Sequence, residues 1–215
     1  QSMIAKKINK IVDVLDRKVA TQTAEELVGL TGEWSTLVTD DNASDELEIS
    51  TYISEATKQL DQTGLSDLDT ALMQTGYNAP IIVGGTKLYK YGKELNAGCC
   101  ATTGVNVLDL YDKRVATALA DDNKSMVFNA GAVALITYNE APQVPNLGAN
   151  YAKFRVNSPR TGIPYDIVMN DTCGTISILG YANTKLVGLP TDMFAVGDEF
   201  RGVTMVNKIK VVNPA

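Results

Sequence analysis

At 215 residues the chain is long enough for one large domain, or for two small ones that share a core. Its net charge of −6, from 25 acidic and 19 basic side chains, argues against a protein built to grip nucleic acid, which needs a basic surface to displace counterions. Histidine is absent, which closes Ser-His-Asp and Cys-His catalysis, histidine metal sites and imidazole acid–base chemistry.

Gln1-Ser2 ahead of Met3 reads as the remnant of a cleaved affinity tag. Residues 4–27 then read as one long helix: Ile4, Ile8, Ile11, Leu15 and Val19 recur at three- and four-residue steps, with Lys6, Lys10, Asp13 and Arg17 on the opposite face. Gly29 and Gly32 are its stop signals. No apolar core follows Lys6, Lys7 and Lys10, so the start does not read as a signal peptide, and no apolar run reaches the ~18 residues of a membrane helix.

Residues 29–49 read as an irregular connection with an acidic loop from Thr39 to Glu46, which lacks the central glycine of a calcium loop. Two short helices are expected next. The first runs over Thr51–Gln62, with Ile53, Ala56 and Leu60 on one side. The second starts at a capping box, Ser66-Asp67-Leu68-Asp69, and ends near Gln74, with Gly76 as its left-handed terminator.

Ile81-Ile82-Val83 has the β-branched composition of a buried strand. Gly84-Gly85-Thr86 turns the chain into a helix expected from Lys87 to about Asn96. That turn lacks the spacing of a phosphate loop. Val105–Val107 and Met126–Phe128 read as strands, Arg114–Ala120 as a short helix, and Ala132–Tyr138 as either a helix or a strand. From Tyr151 onward the texture is β: Phe154 and Val156 alternate, Ser158–Gly162 is a turn cluster, and Asn170–Gly174 is a hairpin turn. Tyr165–Met169, Thr175–Tyr181, Lys185–Gly188 and Val203–Val212 all have strand composition. An α-rich first half and an antiparallel β final third give the α+β class.

Cys99, Cys100 and Cys173 are too few and too badly spaced for a disulfide framework or a metal site, and read as small buried apolar residues in a reducing compartment. Asp40-Asp41 and Asp121-Asp122 are the acidic pairs on which a cation-dependent enzyme or a ligand-binding domain would rest, but adjacent side chains diverge and neither pair makes a site by itself. The sequence therefore implies no catalytic residue, no metal and no cofactor.

Three stretches carry a family likeness: Tyr77–Tyr89, Met126–Asn139, and the tail from Gly162–Ile167 through Cys173-Gly174 to Leu186–Phe194. They resemble the major capsid protein of tailed bacteriophages, the Hong Kong-type shell fold, and in particular versions from phages and prophages of the Bacteroides group. The resemblance implies a spine helix and connection over 3–49, a central α/β axial domain over 50–150, and a β segment over 151–215 that returns to a shared sheet. It also implies hexamers and pentamers of self-assembled subunits, loose nonspecific contact with packaged DNA, a possible scaffold protein, and location in the virion after assembly in the host cytoplasm. Family members carry an N-terminal arm and an extended loop ahead of the spine helix. Neither precedes Met3, so the resemblance implies an N-terminally truncated piece. The residues expected at subunit contacts are Lys6, Lys10 and Arg17 on the first helix, and Tyr111, Asp112, Arg160 and Arg201 in loops. Two other readings remain: a non-capsid α+β binding domain or enzyme, and another shell or tail assembly protein.

Overall fold

In the computed structural model, which describes residues 2–30, 32, 34, 46–50, 52–54, 59–60, 62–77, 80–89, 111–137, 150–188 and 206–212, a 27-residue helix opens the chain: α1, Met3–Gly29. The chain is mixed α+β, with several sheets after this helix. It divides into two units that are each discontinuous in sequence. One takes residues 1–23 and 135–186, the other residues 24–134 and 187–215.

The first unit sets α1 against a three-stranded antiparallel sheet of β7 (Tyr151–Asn157), β8 (Pro164–Thr172) and β9 (Thr175–Tyr181). Strand pairing puts Val156 opposite Tyr165 and Ile167 opposite Gly180, on the face that meets the helix. Val12, Leu15, Val19 and Tyr165 form the buried core there, with Ile8, Ile11, Val156 and Ile163 packed at its edge. The buried stripe is rotated from the expected one: Val12 and Asp16 lie inside it, while Ile4, Ile8 and Ile11 are half-buried.

The β8–β9 hairpin turns on Cys173 and Gly174, with φ of 51° and 84°. Two successive left-handed residues between paired Thr172 and Thr175 make the tight mirror-image turn that matches strand twist. Cys173 is exposed at this tip, against the expectation of a buried cysteine, because a two-residue hairpin loop has no core side. Cys99 and Cys100 lie outside the described residues.

Gly180 is where α1 comes closest to the sheet. A Cβ added there would stand 2.5 Å from Ile11 Cγ2 and 2.9 Å from Leu15 Cδ1. Gly180→Ala is therefore expected to cost about 1–3 kcal/mol by overpacking, read as a lower urea midpoint by circular dichroism. An unchanged midpoint would contradict the close approach.

The second unit is built on a mixed four-stranded sheet in the order β1, β11, β5, β4. β1 (Glu46–Ser50) runs parallel to β11 (Val206–Val212); β11 and β4 (Pro80–Gly84) each pair antiparallel with β5 (Lys124–Asn129). Helix α2 (Gln62–Gln74) supplies Leu68 and Leu72 to a core with Trp34, Ile49, Tyr77, Ile82, Val127, Ile209 and Val211. Gly76, at φ 89°, ends α2 as expected: its N–H reaches the Met73 carbonyl and the Tyr77 N–H reaches that of Leu72, the paired bonds of a Schellman stop. The helix begins at Gln62, ahead of the capping box, so Ser66 lies inside it and its carbonyl accepts from the Thr70 hydroxyl.

The helix expected over Thr51–Gln62 is not found. β2 (Tyr52–Ser54) and β3 (Gln59–Leu60) pair antiparallel there. The strand preference of aromatic Tyr52 and β-branched Ile53 outweighs the helical spacing of Ile53, Ala56 and Leu60. Residues 46–49, read as connection, belong to strand β1. The open choice over Ala132–Tyr138 resolves to strand β6 (Val133–Thr137), which pairs with β10 (Thr184–Gly188). Helix α3 (Lys113–Leu119) falls where a short helix was expected, and residues 86–89 form a helical turn. The remainder of the Lys87–Asn96 helix and the Val105–Val107 strand lie outside the described residues. Among the described residues no helix is long and apolar enough to cross a membrane.

Candidate functional site

The expected contact residues divide between the units. Lys6, Lys10, Arg17 and Arg160 belong to the first, Tyr111 and Asp112 to the second, and Arg201 lies outside the described residues. Two of them are occupied locally. The Asp112 carboxylate caps α3 by accepting from the Arg114 backbone N–H at 2.7 Å, and pairs with the Arg114 guanidinium at 2.7 Å. The Arg114 hydrogen bonds lead in holding the Asp112 carboxyl below its usual range. Asp112→Ala is expected to cost about 1 kcal/mol, measured as a shift of the thermal midpoint. A shift equal to that of an uncapped surface aspartate such as Asp13→Ala would remove this role. Tyr111 is 42% exposed and lies against Tyr89, ring centroids 5.4 Å apart.

Arg160 sits in the turn between β7 and β8, which clamps α1. Ser158 Oγ accepts from the N–H groups of Arg160 and Thr161 and donates to Asp16 at 2.8 Å. The Thr161 and Tyr165 hydroxyls donate to the other oxygen of Asp16 at 3.2 and 2.7 Å. Asp16 is 7% exposed and belongs to this lock. Burial pushes its carboxyl up, but the hydroxyls of Tyr165, Ser158 and Thr161, with the Arg160 charge, outweigh burial and hold it below the usual value. Burial also raises the Tyr165 phenol, and the Asp16 carboxylate raises it further.

Lys10 has a different setting. It borders a groove of about 450 Å3 between α1 and β9, together with Lys7 and Lys18. Ile11, Val14, Leu15, Ile176 and Ile178 make its apolar lining. Val14 is 44% and Ile176 39% exposed, so branched side chains stand in water between three ammonium groups. Lys7, Val14, Lys18 and Ile176 escaped the sequence reading. The helical signal was present, since Lys7, Lys10, Val14 and Lys18 fall on one face at steps of three and four. The partner strand lies in the final third of the chain, and nothing local points to it. Lys6 and Arg17 are exposed and do not line the groove.

The acidic pair Asp121-Asp122 works as turn chemistry. Asp121 accepts from the Asn123 N–H, and Asp122 accepts from the Thr86 hydroxyl. Among the described residues there is no group of three or more metal-capable His, Cys, Asp or Glu side chains. No protein-family model, curated protein or solved structure matches the chain.

Proposed function

We propose that the chain is a structural subunit of an icosahedral tailed-phage capsid of the Hong Kong-type shell class, working through subunit contacts without catalysis. The observation that carries this reading is the packing of one long N-terminal helix across an antiparallel sheet drawn from the final third of the chain. The sequence resemblance implies a spine helix over 3–49 and a β segment over 151–215 that returns to a shared sheet, and this packing supports it. A second unit built on its own mixed sheet fits an axial domain. The side-chain chemistry also suits the role: Asp112 and the buried Asp16 hold elements in place, and the exposed cations of α1 face solvent.

In this reading subunits form hexamers and pentamers, touch packaged DNA loosely, and pass from the host cytoplasm into the virion. Each contact is modest, and symmetry multiplies it. Electron microscopy of the product of the complete reading frame, expressed with any scaffold encoded beside it, tests the proposal. Closed icosahedral particles are the expected result. Tubes would move the chain to the tail-tube class, and a product that stays monomeric with its scaffold present would refute a coat role.

A further inference from the structure

We propose that the groove between α1 and β9 binds an extended acidic segment of a partner protein, which adds to the sheet as a fourth strand beside β9. The site stands on the groove and the sheet edge alone, independent of the capsid assignment.

Charge is the first observation. The chain carries net charge −6, yet the titratable residues that line the groove are all lysines: Lys7, Lys10 and Lys18. All three are exposed, and among the described residues no carboxylate lines the groove to neutralise them. Three like charges gathered around an apolar floor repel one another and leave the floor open to water. An acidic partner relieves the first cost, and its apolar side chain relieves the second.

The sheet supplies the second observation. β9 is a terminal strand in the order β7, β8, β9, and among the described residues nothing pairs with its outer edge. A sheet edge that the other described strands leave open presents a row of backbone donors and acceptors, the template for strand addition. Ile176, Ile178 and Gly180 fall at alternate positions on β9 and all face the groove. A strand laid beside β9 sends its own alternate side chains into the same space.

The spacing defines the chemistry of the segment. Lys10 and Lys18 are eight residues apart on α1, about 12 Å along the helix axis at ~1.5 Å per residue. Two acidic residues at i and i+4 of an extended chain are about 13 Å apart. The residue at i+2 then falls midway between them, level with Val14 on the helix. The fitting pattern on the helix-facing side is acidic, branched apolar, acidic.

The probe is a fluorescein-labelled peptide, Thr-Glu-Thr-Ile-Thr-Glu-Thr, titrated with the whole chain by fluorescence anisotropy. Saturable binding is expected. The triple variant Lys7→Glu, Lys10→Glu, Lys18→Glu and the single variant Val14→Glu are each expected to weaken it about tenfold or more. Lys6→Glu changes one charge on the same helix outside the groove and is expected to cost far less than the triple variant, because Lys6 does not line the groove. Backbone N-methylation of alternate threonines is expected to weaken binding by a similar factor, since it removes donors needed for strand pairing. Circular dichroism of each variant confirms that the fold is kept; the altered side chains are all exposed. The proposal is overturned by any of four results: no saturable binding up to about 1 mM, equal loss in Lys6→Glu, co-sedimentation with phosphatidylglycerol vesicles but no peptide binding, or self-association that the peptide does not compete away.

Discussion

Trp34→Ala is expected to lower the stability of the second unit by about 4 kcal/mol, the range found when a buried aromatic side chain is removed from a packed core. Trp34 is 2% exposed and belongs to the core with Ile49, Leu68, Leu72 and Tyr77. Its ring lies 6.2 Å from that of Tyr77, tilted by 40°, a favourable aromatic arrangement. Its indole N–H donates to the Lys208 carbonyl at 2.8 Å and so ties the segment after α1 to β11. Next to it, the Tyr77 hydroxyl donates to Asn207 Oδ1 at 2.5 Å, and Asn207 donates to the Gly32 carbonyl. Burial raises the Tyr77 phenol and keeps it a donor. Alanine would leave a cavity and remove one of these ties. Trp34→Phe keeps an aromatic ring against Tyr77 but loses the N–H and part of the ring's bulk, so about 2 kcal/mol is expected. Trp34 is the only tryptophan, so far-UV circular dichroism in urea is the suitable readout. Equal costs for the two variants would mean that the ring Phe retains against Tyr77 contributes little at this site.

The features that could be read from sequence are those whose causes are local. The repeat from Ile4 to Val19 is long, so α1 was legible to within two residues at either end. Gly76 and the Asn170–Gly174 turn were legible because left-handed backbone selects a few residue types. β4 and β5 were legible from their β-branched and apolar runs. The features that escaped depend on distant pairing. β11 lies parallel to β1, and neither strand contains any sign of the other. The hairpin of β2 and β3 escaped because three apolar residues at helical spacing outvoted two strong strand formers. The contact residues divide the same way. Asp112 could have been read as a cap from its place before Lys113–Leu119, whereas the groove on α1 required knowing that β9 lies beside it.

Asp16 is the sharpest case of the same division, and it carries the second large effect. A helical-wheel reading puts a carboxylate on the wet face; here it is buried, and its partners are 142, 145 and 149 residues further along the chain. Asp16→Ala would leave the Ser158, Thr161 and Tyr165 hydroxyls without their charged acceptor, and about 3 kcal/mol is expected. The pH dependence has a definite sign. The folded carboxyl is held below its unfolded value of about 3.9, so its contribution is complete above that pH and is lost as pH falls through the folded value. Asp16→Asn cannot titrate. The stability gap between the native chain and Asp16→Asn, measured by urea unfolding, should therefore be constant near neutral pH and narrow below about pH 4. A gap that stays constant in acid would mean that the carboxylate charge contributes nothing to the clamp. Tyr165→Phe separates the strongest single partner: combined with Asp16→Ala in a double-mutant cycle, it should show a coupling of about 1–2 kcal/mol. A coupling near zero would assign the clamp to Ser158 and Thr161, so the turn between β7 and β8, and not the core of the sheet, would be what fixes α1 in place.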